Sequence, residues 1–116
     1  SPIKENLLSI TELAKLRQVT SETLRYYDRI GLITPDYVDP QTRYRYYSIR
    51  QYEKLGTIKE LRQLGMSIHD ITDYFSGRNL RKSHQLLLHQ LELLEEEIRK
   101  QQLLSEILRR KLHFLS

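Results

Sequence analysis

Apolar residues recur at steps of three and four along most of this 116-residue chain, and a few punctuating residues reset the register. In residues 7–17 the stripe is Ile10, Leu13, Ala14 and Leu16, and Ser9 with Glu12 has the spacing of a capping box, so a short first helix is predicted. Thr20 or Ser21 caps a second helix that runs to about Ile30, where Gly31 stops it. Two short helices joined by about three residues make a helix-turn-helix. Ala14 suits the close approach of the two helices, and Val19 suits the angle between them.

The period then changes. Pro35, Asp39 and Pro40 interrupt helices, and Tyr37-Val38 and residues 44–47 are β-prone runs on either side of "DPQT". A small hairpin, or wing, is expected there. Ser48 and Gln51 form a second capping-box pattern, followed by Ile49, Tyr52, Leu55, Ile58, Leu61 and Leu64 at helical spacing, with Gly65 at the end. Ser67 and Asp70 open a further short helix through Ile68, Ile71, Tyr74 and Phe75, closed by Gly77.

From Leu80 to Leu115 there is neither Pro nor Gly, and one helix of that length reaches about 54 Å. Its seam alternates steps of three and four through Leu80, His84, Leu87, Leu91, Leu94 and Ile98. It passes Gln101 and Ser105, then resumes at Leu108, Leu112 and Leu115. A lone helix cannot bury such a seam, so a second copy is the expected partner, with Leu87, Leu91, Leu94, Ile98, Leu108 and Leu112 as dimerisation positions. The polar pair in mid-seam suits a register-setting role. The fold class is therefore mainly α: a winged helix-turn-helix with a small β-hairpin wing in residues 1–77, followed by a long C-terminal coiled-coil helix in 78–116.

Composition narrows the function. No run approaches the ~20 apolar residues of a membrane span, and no basic start leads into an apolar run, so a cytoplasmic location is expected. The first residue is Ser, which suggests a trimmed start or a tag remnant. The absence of cysteine removes disulfide scaffolds, zinc fingers and thiolate sensors. His69, His84, His89 and His113 are scattered without metal-ligand spacing, so neither a metal nor a cofactor is expected. There is no Gly-rich phosphate loop, no nucleophile motif and no acid–base pair, so no catalytic residue is assigned and an enzyme is not expected.

Net charge is only +4, but residues 43–62 carry six basic side chains against two acidic ones, a local field suited to a polyanion or, more blandly, to a solvated helix face. On the second helix Leu24 and Tyr27 share a face with Gly31, and Glu22, Arg25, Tyr26 and Arg29 share the opposite one. Exposed Arg and Tyr suit phosphates, and Arg25 could instead read guanine; the alternative is that Arg25 and Arg29 simply pair with Glu22 and Asp28. In the wing, alternation puts Arg43, Arg45 and Tyr47 on one side and Tyr44 and Tyr46 on the other, with Arg43 and Arg45 expected to face phosphate. Lys59 and Arg62 offer a third contact.

The motifs "LRYYD", "YRYY" and the helix-ending "LG", in this order over residues 8–75, resemble the winged-helix domain of the MerR family of transcription regulators, and most of all its multidrug-sensing branch. The resemblance implies a homodimer through an antiparallel coiled coil, palindromic promoter DNA with an over-long spacer, and bending and untwisting of that DNA for RNA polymerase. It puts Arg25 and Tyr26 at recognition-helix contacts, Tyr44 and Arg45 in the first wing and Arg62 in the second. It also takes Tyr27 to a phosphate, where helix spacing takes it to the core. Thr20 and Ser21, at the start of the recognition helix, join this DNA-binding set.

Two features depart from the family. The turn between the first helices is Arg17-Gln18-Val19 rather than a small or Gly-Val type, which adds Arg17 as a phosphate candidate. The family's ligand-binding domain follows the coiled coil, whereas this chain stops at Ser116, as a piece of a longer protein or a minimal member would. A small-molecule effector is expected only with a further C-terminal domain. The competing expectation is a coiled-coil adaptor whose basic face binds an acidic protein.

Overall fold

The structure, a computed structural model, describes residues 6–77 and 80–116. They divide into two units, one ending at Phe75 and one beginning at Ser76. The first unit contains β1 (Leu8–Ser9), α1 (Ile10–Arg17), α2 (Ser21–Arg29), β2 (Tyr37–Val38), β3 (Arg45–Tyr47) and α3 (Ile49–Gln63). It also holds nearly all of α4 (Ile68–Ser76), and α5 (Leu80–Leu115) makes up most of the second.

Local signals explain most boundaries. Both capping boxes close: the Ser9 hydroxyl accepts from the Glu12 amide at 3.1 Å while Glu12 accepts from the Ser9 amide at 2.8 Å, and Ser48 and Gln51 repeat the pattern. Of the two candidate caps for α2, Thr20 is the one used, its Oγ1 accepting from the Thr23 amide at 3.0 Å. Gly31 takes φ +76, a left-handed turn that lets the Leu32 amide return to the Tyr27 carbonyl at 2.9 Å. In the wing, the Asp39 carboxylate accepts from the Gln41 and Thr42 amides, so "DPQT" is an Asx-type turn.

Three expectations need correction. The hairpin is part of a three-stranded antiparallel sheet of order β1-β3-β2, because Leu8 and Ser9 pair with Tyr47 and Tyr46. A strand of two residues has no period of its own, and only its tertiary partner reveals it. Leu16, Ile49 and Leu64 lie on the expected apolar stripes yet are exposed. Arg43 adopts φ +67 and leaves the strand, so the alternation begins only at Arg45.

The core is Leu13, Ala14, Leu24, Tyr27, Leu32, Ile33, Tyr47, Leu55, Ile58, Leu61, Met66 and Ile71, all in the first unit. α5 has no buried residue. Its six expected dimerisation positions are exposed, from 37% at Leu87 to 67% at Leu112. Among the described residues no helix is long and apolar enough to cross a membrane.

Candidate nucleic-acid interface

α2 is strongly two-sided. Leu24 and Tyr27 are buried, whereas Glu22, Arg25, Tyr26 and Arg29 face outward. The Arg29 guanidinium lies 5.8 Å from the centre of the Tyr26 ring, and Glu22 approaches both arginines, at 3.9 Å from Arg25 and 3.7 Å from Arg29. These are long, solvated contacts worth little, so a phosphate can replace Glu22 at small cost. Ser21 is half-buried in the first turn of the same helix.

The wing brings further cations to this face. Arg25 lines one cleft, ≈ 580 Å³, together with Arg43, Tyr44 and Arg45 from the wing and Ser9 to Glu12 at the start of α1. Tyr44 is 65% exposed. Arg45 is different: its Nε lies 3.3 Å from Asp28 Oδ2, on the same inward side of β3 as the fully buried Tyr47. Asp28 therefore pairs with the wing and not with Arg25 or Arg29. The Tyr47 hydroxyl has no hydrogen-bond partner among the described residues. Burial first, then the Asp28 charge, pushes its pKa up, while Arg45 and Arg25 pull it down.

Other candidates are engaged within the unit. Arg17 stacks on Tyr52, 3.7 Å from the ring centre, and its Nε donates to the Tyr52 carbonyl at 2.9 Å. Lys59 Nζ donates to the Arg17 carbonyl, at the C-terminal end of α1 where a cation is favoured. Together they fasten α1 to α3. Gly56 leaves room for this arrangement, because a Cβ there would stand 2.6 Å from the Arg17 guanidinium and would push that side chain aside. Arg62 Nη1 donates to the Met66 carbonyl at 3.0 Å and stabilises the turn before α4 while the residue stays exposed. Tyr27 is 8% exposed, which favours its core role; burial raises its pKa, and the nearby Arg62 charge opposes that shift.

The departure in the first turn is also resolved. Gln18 takes φ 56 and ψ 48 at the C-cap of α1, a left-handed conformation that glycine adopts more easily. The turn thus holds a left-handed residue that is not glycine. One cluster was missed in the sequence: His69, Asp70 and Asp73 bring ligand-capable atoms within 4.8 Å of one another at the start of α4. The three are spaced on one helical face, with His69 Nδ1 3.7 Å from both Asp70 Oδ1 and Asp73 Oδ2.

The family model described as "MerR HTH family regulatory protein" matches residues 8–78, a span that takes in every element from β1 to α4. The chain belongs to the MerR HTH family. This is a family of transcription regulators and not of enzymes. Among its relatives, the multidrug-efflux transporter 1 regulator of Bacillus subtilis (strain 168) is 37% identical over 114 residues, covering 98% of this chain and 36% of that protein. The chain spans less than half the length of the curated relatives it matches. The crystal structure of MtaN, the N-terminus of the Bacillus subtilis multidrug transporter activator, superposes with a TM-score of 0.68 at 25% identity. That match covers 90% of this chain and 97% of MtaN. The EcmrR chain of the EcmrR–DNA complex in EcmrR-RPo matches with a TM-score of 0.66 at 32% identity, covering 93% of this MerR chain and 38% of its own.

Proposed function

We propose that this chain is the DNA-reading and dimerising part of a promoter regulator. Two copies, joined along α5 as an antiparallel coiled coil, present two α2 helices to the half-sites of palindromic promoter DNA and distort the spacer between them for RNA polymerase. The observation that carries this is the shared face of α2 and the wing, where Arg25 lines one cleft with Arg43 and Tyr44 and where Tyr26 and Arg29 are exposed. Arg and Tyr there are fit for phosphate, and Arg25 is placed to read a base edge. Support also comes from EcmrR, a similar chain bound to DNA. Such work places the protein with the chromosome, in the cytoplasm.

The test is selection from a random duplex pool, followed by binding to the enriched sequence across a salt series. An inverted repeat should emerge, with an affinity that falls steeply as salt rises. Arg25→Ala should cost about 1–3 kcal/mol and relax preference at one base position in each half-site. Tyr26→Phe should weaken binding modestly for all sequences. No enrichment, or wild-type affinity in Arg25→Ala, would end this reading in favour of an adaptor with a protein partner.

A further inference from the structure

Arg45 looks, from its sequence neighbours, like another phosphate ligand beside Arg43. Its surroundings argue otherwise. Arg45 and Tyr47 share the inward side of β3, and Arg45 meets Asp28 near the end of α2 at 3.3 Å. The difference lies in the carboxylate: the Asp28 side chain is 26% exposed against 73% for Glu22, while Arg45 at 38% is only a little less exposed than Arg25 at 43%. Arg43, by contrast, sits in a left-handed turn and is exposed next to the exposed Tyr44. The wing thus has an outward cationic tip and an inward cation tied to the recognition helix.

We propose that the Asp28–Arg45 pair is a clamp that fixes the wing against the recognition helix, so that Arg45 positions the DNA-binding face without itself neutralising a phosphate. This rests on the DNA-binding reading above. The clamp joins the two elements that must meet the duplex together, the helix with Arg25 and the wing with Arg43 and Tyr44. β2 meets β3 through only two residue pairs, and β1 reaches Tyr46 and Tyr47 but not Arg45, so the sheet alone holds the tip of the wing weakly. An ion pair at the first residue of β3, next to the turn, removes that freedom before DNA arrives and lowers the ordering cost of binding.

The clamp makes a prediction of unusual sign. Asp28→Asn removes a negative charge beside a polyanion site, and electrostatics alone would tighten DNA binding. The clamp requires weaker binding, by about threefold or more, because the wing loses its anchor. Arg45→Ala should weaken binding but leave the dependence of log affinity on log salt close to wild type, whereas Arg43→Ala should reduce that slope by about 1 per site. The double variant Asp28→Asn/Arg45→Ala should be no worse than the weaker single variant.

The probe is a mixed-sequence duplex of about 30 base pairs, with the full chain at several salt concentrations. In parallel, amide hydrogen exchange of Tyr46 and Tyr47 in DNA-free protein should speed up in either single variant. Unchanged or tighter binding in Asp28→Asn, or an Arg45→Ala slope reduced as much as that of Arg43→Ala, would overturn the clamp. Failure of the wild-type chain to bind any duplex would instead remove the DNA reading, and the exchange rates would then decide the clamp alone.

Discussion

The two units of this chain use apolar residues in opposite ways. In the first, stripes from α1, α2, α3 and α4 close on one another and on Tyr47, and leucines such as Leu13, Leu24 and Leu55 have no exposed surface. In α5 the apolar run is longer and more regular, yet none of its residues is buried. The first unit therefore satisfies most of its own hydrophobic pattern, with Leu16, Ile49 and Leu64 left exposed. The second states a demand that one copy of the helix cannot meet, since isolated helices draw most of their stability from packing an apolar face. Regular patterning and burial are separate properties: the first belongs to a segment, the second to an assembly.

Breaking the seam should have the largest effect. Leu91→Glu places a charge at the middle of a line of exposed leucines, and the protein should become monomeric at concentrations where the wild type is a dimer, as sedimentation would show. All eight tyrosines lie in residues 26–74, so the tyrosine band of the near-ultraviolet dichroism reports on the first unit and should be retained in this variant. A wild-type sedimentation coefficient for Leu91→Glu would remove the contrast between the units.

The converse change is Leu55→Ala, at a fully buried position of α3. It should cost about 2–5 kcal/mol in urea unfolding followed by tyrosine dichroism. The same truncation at Leu103, which is 63% exposed and off the seam, should stay within about 0.5 kcal/mol. Equal losses at the two sites would mean that α5 packs far more than the single chain shows.

Smaller effects sharpen the picture of the first unit. Gln18→Gly relieves a left-handed residue but adds freedom to the unfolded chain, so a net gain of about 0.5–1 kcal/mol is expected, read as a raised thermal midpoint. The smallest effect concerns Glu12, whose pKa is lowered by hydrogen bonds from the Ser9 backbone and then from its hydroxyl. Because the folded value lies below the unfolded one, this contribution is complete above the ordinary glutamate range and disappears as pH falls through the folded value. Glu12→Gln keeps the cap but should flatten that acid-side loss, by no more than a few tenths of a kcal/mol after solvent screening.

Much of the fold was legible because its signals are local. The Ser9–Glu12 and Ser48–Gln51 boxes, the Gly31 stop and the uninterrupted run from Leu80 all act within a turn or two of chain. The two-sidedness of α2 follows from helical spacing, so Leu24 and Tyr27 could be separated from Arg25, Tyr26 and Arg29 without coordinates. The family motifs carried the DNA-binding assignment across the same segment.

Cation roles were not legible, because Arg17, Lys59 and Arg45 read alike in a sequence and differ only in what the folded chain sets beside them. Arg17 meets a tyrosine ring on α3, Lys59 a carbonyl at the end of α1, and Arg45 a carboxylate on α2. The sequence by itself determined where helices begin and end and which faces are apolar, since dihedral preferences and side-chain spacing are properties of neighbouring residues. Tertiary structure alone decided that Leu8 and Ser9 form a strand and that Asp28 holds Arg45. Those pairings join residues far apart in the chain, and no local preference encodes a partner that only folding brings near.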